Sequence, residues 1–141
     1  MFVSSRKAIN SYAKVGLETG VDSANPHRLI AMLLDGAIFS LGKAAYALKE
    51  KRIEEKCKAI ATSVDIISSG LQASLNLEAG GEIAEHLNAL YDYMCTRLMY
   101  ANLHNNLAAI EEVSSLLGEI KGGWEEIAND PAVASHNRLP S

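Results

Sequence analysis

Apolar residues recur at steps of three and four in four successive blocks of this chain, and no other periodicity in it is strong. That spacing lines each set along one face of an α-helix. The first block opens at Asn25-Pro26 and runs to about Lys49. Asn suits an N-cap, and Pro suits the first helical position, where its missing N–H would have lacked a partner. Its inner stripe is Ile30, Leu34, Ala37, Leu41, Ala44 and Leu48. The second block spans Ile53 to Asn76, with Ile53, Cys57, Ile60, Val64, Ile67, Leu71 and Leu75 in one inward stripe and Glu55, Lys58, Thr62, Asp65, Ser69 and Gln72 outward. A single helix over both blocks would be ~75 Å long, so the chain must turn near Lys49–Arg52. Ala79-Gly80-Gly81 is expected to break the second helix. The third block covers Glu82 to Leu103, with Ile83, Leu87, Leu90, Met94, Leu98 and Ala101 inward. A polar turn at His104–Asn106 leads to the fourth, Leu107 to Ala128, whose stripe is Leu107, Ile110, Val113, Leu117, Ile120, Trp124 and Ile127.

Four amphipathic helices of similar length joined by short loops predict an all-α fold, an antiparallel up-down four-helix bundle. At 141 residues the chain can bury a core without disulfides. The bundle is expected over residues 25–129. Residues 1–24 form an N-terminal segment in which Arg6–Tyr12 can make a short helix, and residues 130–141 read as a disordered tail. The net charge of −4 argues against a nucleic-acid partner. No continuous apolar run approaches a membrane span, and the N-terminus has the reverse polarity of a secretory signal. Cys57 and Cys95 are too few for a disulfide framework and fit reduced thiols of a cytosolic protein.

Nothing in the chain assembles a catalytic or metal centre. A di-iron bundle needs two Glu-x-x-His pairs and inward carboxylates; here the inward stripes hold none, and Glu82 and His86 stand alone. His86 is the one mid-helix candidate for phosphotransfer, but Glu82 and Glu85 beside it would repel a phosphoryl donor. Gly80-Gly81 follows no strand and precedes no Lys, so it is no phosphate loop.

The anomaly is a surplus of apolar surface. A bundle helix needs an apolar arc of about 100°. The first block carries a second stripe, Leu29, Leu33 or Met32, Gly36, Phe39 and Tyr46, and the third adds Tyr91, Tyr93, Cys95, Met99 and Tyr100. Either the N-terminal segment, through Tyr12, Val15 and Leu17, covers this surface, or the surface is a groove for a partner's amphipathic helix.

Three strings resemble the FliS family of flagellar secretion chaperones: Asn25 to Ile38 (NPHRLIAMLLDGAI), Leu75 to Ala84 (LNLEAGGEIA), and Leu90 to Met94 (LYDYM) followed by Arg97-Leu98 and Ala101-Asn102. Trp124 near the end of the last helix also fits. The resemblance covers about Tyr12 to Ala128. The chain departs from it at Leu34, where Tyr is frequent, and at Asn76 and Asn106, where Asp is common. The resemblance implies a bundle with a short N-terminal helix that holds the disordered C-terminal segment of flagellin in the bacterial cytosol. It implies that premature polymerisation is prevented and flagellin is delivered to the flagellar export gate, with no catalysis and no cofactor. The expected client-binding residues are Tyr12, Leu29, Met32, Leu33, Phe39, Tyr91, Met94, Leu98 and Asn102, with Leu34 and Leu87 in the core. The competing expectation is a structural bundle whose extra stripes form a homodimer seam.

Overall fold

A computed structural model describes residues 25–128. These form four helices, with no strand among the described residues: α1 (Pro26–Lys49), α2 (Ile53–Asp65) continuing into a π-helical segment (Ile66–Gln72), α3 (Leu77–His104) and α4 (Leu107–Ala128). The expected N-terminal helix and tail lie outside the described residues.

Local chemistry sets the boundaries. The Asn25 side chain accepts the Arg28 N–H at 3.2 Å, and Pro26 opens α1. Lys51, at φ 60°, takes the left-handed conformation that turns the chain between α1 and α2. Asn105, at φ 51°, does the same after α3, and Asn106 caps α4 by accepting the Ala109 N–H at 2.9 Å.

The second boundary differs from expectation. Regular α2 geometry ends at Asp65, and seven residues of π-helix come next. Asn76 does not end α2 but caps α3, accepting the Ala79 N–H at 3.0 Å. A turn of helix therefore precedes the glycine pair. The break falls inside α3 at Gly81, whose φ of 56° and ψ of −134° are readily adopted only by a residue without Cβ.

Helix α1 packs against α2 and α4, while α3 packs against α4, α2 and the π segment. Polar contacts tie three of these seams, α1 to α4, α3 to α4, and α2 with its π segment to α3. Lys121 Nζ lies 2.6 Å from Asp35 and Arg97 Nε 2.8 Å from Glu112. Gln72 donates to Asp92 at 2.8 Å, and Lys56 donates to the Asn102 carbonyl at 2.8 Å. The core comprises Leu33, Leu34, Ala37, Leu41 and Ala44 of α1, with Ile60, Ile66, Ile67 and Leu71, Tyr91, Met94 and Leu98, and Ile110, Val113 and Leu117. Each large side chain so buried contributes roughly 1.5–3 kcal/mol. Ile53, Ile83 and Ile127, expected inward, are exposed because they sit at helix ends or just past the Gly81 break, where little overlies them. Leu87, expected in the core, is half-buried at its edge.

By length and mean hydropathy α1 is long and apolar enough to cross a membrane, contrary to the sequence expectation. Here it is the central packing helix, buried on both sides of its stripe, with Asp35 ion-paired to α4.

Candidate partner-binding surface

The expected binding residues divide sharply by burial. Phe39 is 69% exposed, and Leu29, Met32 and Asn102 are half-buried. Leu33, Tyr91, Met94 and Leu98 are not on the surface: each is at most 3% exposed and belongs to the core. The expectation that Leu33 is exposed while Leu34 is buried is corrected on physical grounds. Because α1 has neighbours on two sides, Leu33 and Gly36 of the second stripe are covered along with the inner stripe, while Phe39 and Tyr46 stay exposed. Gly70 of the π segment makes the room, since a Cβ there would stand 3.2 Å from the Leu33 methyls. Burial also pushes the Tyr91 phenol up to about 12. Tyr12 lies outside the described residues.

Among the described residues, two apolar troughs stand out. The first runs between α1 and α2 and has a volume of about 690 Å3. Its walls are Phe39 and Tyr46 from α1 and Thr62 from α2; its floor is made of small residues, Ser40, Ala47 and Ala59. A Cβ added at Gly42, also in the trough, would meet nothing within 4 Å. The second, about 420 Å3, lies where α2 begins and α3 ends, lined by Ile53, Cys57, Met99 and Leu103. Met99 and Leu103 are 68% and 79% exposed.

Beneath the second trough lies Lys56, only 1% exposed. Its ammonium donates to the Asn102 carbonyl at 2.8 Å and to Asn105 Oδ1 at 2.7 Å. It thereby satisfies carbonyl groups left over at the C-terminal end of α3, where a cation also suits the helix dipole.

The α3–α4 face is polar by comparison. Tyr93 Oη donates to Glu112 at 2.5 Å, and Arg97 Nε donates to the other carboxylate oxygen at 2.8 Å. These two hydrogen bonds hold the Glu112 carboxyl below its ordinary value. The Arg97 guanidinium lies 5.1 Å from the Tyr100 ring centre, and that ring packs at 4.5 Å against His104. At the opposite end of α4, the Trp124 indole stacks on His27 and donates to its carbonyl at 2.8 Å.

Among the described residues no group of three or more His, Cys, Asp and Glu side chains is placed to hold a metal ion. His86 is an exposed side chain 3.9 Å from Glu82. Sequence reasoning singles out Phe39 and Tyr46 but misses the second trough and Lys56. The Leu98-Met99-Tyr100 run is the only signal of that trough, and Lys56 looks like any surface lysine in a charged stretch.

A family model described as Flagellar protein FliS matches residues 8–131. The chain is 47% identical over 120 residues to the flagellar secretion chaperone FliS of Salmonella typhimurium, covering 85% of this chain and 89% of that protein. It is 42% identical over 123 residues to the flagellar secretion chaperone FliSB of Pseudomonas aeruginosa, covering 87% and 97%. It is 35% identical over 127 residues to the flagellar secretion chaperone FliS of Escherichia coli, covering 90% and 93%. These are chaperones, not enzymes. With a family match over most of its length and relatives at this identity, the chain belongs to the FliS family of flagellar proteins.

Proposed function

We propose that the chain is a flagellar export chaperone, an antiparallel up-down bundle that holds the disordered C-terminal segment of flagellin in the bacterial cytosol. It keeps that segment from polymerising and passes it to the flagellar export gate. Family membership and the names of the relatives support the flagellar role. The observation that carries the binding mode is the pair of open apolar troughs, walled by Phe39 and Tyr46 in one case and by Ile53, Met99 and Leu103 in the other. A flagellin segment that is apolar on one face can bury that face there as helix, with Asn102 in the lining of the second trough; the half-buried Leu29 and Met32 line neither trough and would contact the segment outside them. Residues 1–24, through Tyr12, act as a removable cover. Each fully buried large side chain adds roughly 1.5–3 kcal/mol. Ordering the client costs ~2–5 kcal/mol or more, so several anchors are required.

Calorimetric titration of the full chain with flagellin, and with flagellin lacking its C-terminal segment, tests the reading. Binding to the first and none to the second is expected. Equal binding to both removes the C-terminal assignment. A particle mass in solution of two chains that flagellin does not change favours the homodimer seam instead, for which the same exposed Phe39, Met99 and Leu103 are suited.

A further inference from the structure

The acidic character of the chain is not spread evenly. Residues 43–58 carry six of its 13 Lys and Arg, namely Lys43, Lys49, Lys51, Arg52, Lys56 and Lys58, against three of its 17 Asp and Glu. The other described residues hold three bases and eleven acids. The corner where α1 turns into α2 is thus a positive region on an otherwise negative molecule. The α1–α2 trough opens beside it.

The rim of the trough has the same character. Lys43 and Lys58 both line it, one from each helix. Among the described residues Lys43 makes no ion pair; its ammonium lies 5.8 Å from the Phe39 ring centre. Lys58 has only the exposed Glu54, 3.7 Å away, a contact of little strength in water. Glu55 is the one rim carboxylate, and Arg52 lies 3.6 Å from it. Phe39 and Tyr46 are seven residues apart, about 10 Å along α1, the same interval as positions i and i+7 of an incoming helix. The small-residue floor and Gly42 leave room for that helix to approach closely.

We propose that the α1–α2 trough docks an acidic amphipathic helix, whose apolar side chains two turns apart seat against Phe39 and Tyr46 while flanking carboxylates meet Lys43 and Lys58. The inference rests on the flagellin reading only for the name of the occupant; the chemistry selected is that of the trough. A concave site walled by two helices takes a cylinder better than the flat surface of a membrane.

The test uses the full chain and two synthetic helical peptides of about 18 residues. Both carry leucines at i, i+3, i+4 and i+7; one has Glu at the flanking positions and the other Lys. The Glu peptide is expected to bind about tenfold more tightly at low salt, with the gap shrinking as salt rises. Lys43→Glu with Lys58→Glu should invert the preference. A Cβ added at the exposed Gly42 meets nothing within 4 Å, so Gly42→Leu should keep the melting temperature while blocking the Glu peptide. Equal affinity for the two peptides, no binding of either, unimpaired binding by Gly42→Leu, or capture of anionic phospholipid vesicles in place of the Glu peptide would each overturn the proposal. Flagellin is titrated separately. A parent chain that binds flagellin without charge preference between the peptides loses this inference alone, and one that prefers the Glu peptide but ignores flagellin loses the flagellin reading alone.

Discussion

Phe39 and Tyr46 on the α1–α2 face are 69% and 58% exposed; Tyr93 and Tyr100 on the α3–α4 face are 44% and 43% exposed. Both pairs sit seven residues apart on one helix, yet they are in different situations. Tyr93 is tied through its hydroxyl to Glu112, and Tyr100 lies between Arg97 and His104. Phe39 has only the Lys43 ammonium beside it, and among the described residues the Tyr46 hydroxyl has no hydrogen-bond partner. Exposed aromatic area by itself therefore does not mark a docking surface. A face whose polar and aromatic groups already satisfy one another gains less from a partner than one that is open and unpaired.

The largest expected effect separates both faces from the core. Leu33→Asp and Leu98→Asp should each unfold the protein, because an unpaired carboxylate would be buried at a site with no polar partner. Phe39→Asp should stay folded. Thermal melts followed by circular dichroism check all three, and a folded Leu33→Asp would put that side chain back on the surface. Next in size is the division between the faces. Phe39→Ala should weaken flagellin binding by about 2 kcal/mol, the usual cost of truncating an anchor. Tyr93→Phe should leave affinity unchanged while removing one hydrogen bond within the chain. Equal losses in both variants would break the comparison.

A smaller effect is electrostatic. The folded protein holds the Glu112 carboxyl low through Tyr93 and Arg97. A depressed carboxyl contributes stability that is present above the usual carboxylate range and lost as pH falls through the folded value. Denaturant titrations from neutral to acid pH should show Glu112→Gln losing less stability than the parent on the acid side. Because the group is exposed, added salt should narrow that difference. The smallest effect concerns Cys95, whose thiol is pushed up to about 11, first by burial and then by the nearby Asp92 carboxylate. Its thiolate is scarce near neutrality, so it should alkylate at least about tenfold more slowly than a free thiol. Fast labelling of Cys95 in the native state would contradict its burial.

Much of this architecture is legible in the residues. Asn25-Pro26, Lys49–Arg52 and the Asn-rich turn at 104–106 mark their boundaries by side-chain chemistry, and the structure puts helix ends there. The surplus of apolar residues on α1 is also visible, but its meaning is not. Leu33 and Leu34 are adjacent and both apolar, and periodicity cannot tell a second surface stripe from a second packing face. That depends on how many neighbours the helix has, which is a tertiary fact. Gly70 shows why, because the space it leaves for Leu33 lies on another helix. The start of α3 is hidden because Asn76 caps the helix on its C-terminal side and Gly81 interrupts that helix without terminating it. Lys56 is unreadable for a similar reason: its partners, Asn102 and Asn105, are some fifty residues away.

The π-helical segment Ile66–Gln72 has a bearing on how this chain tolerates changes in length. A π turn closes i→i+5 hydrogen bonds and so holds one residue more than the α turn it replaces. Removing one residue within that segment returns it to α geometry and leaves Ile60 and Leu75 on their present sides. The same deletion in the middle of α4 would rotate everything beyond it by about 100°, carrying Leu117 and Trp124 off the faces they now fill. Single-residue deletions should therefore be absorbed in the π segment after α2 and rejected in the middle of α4.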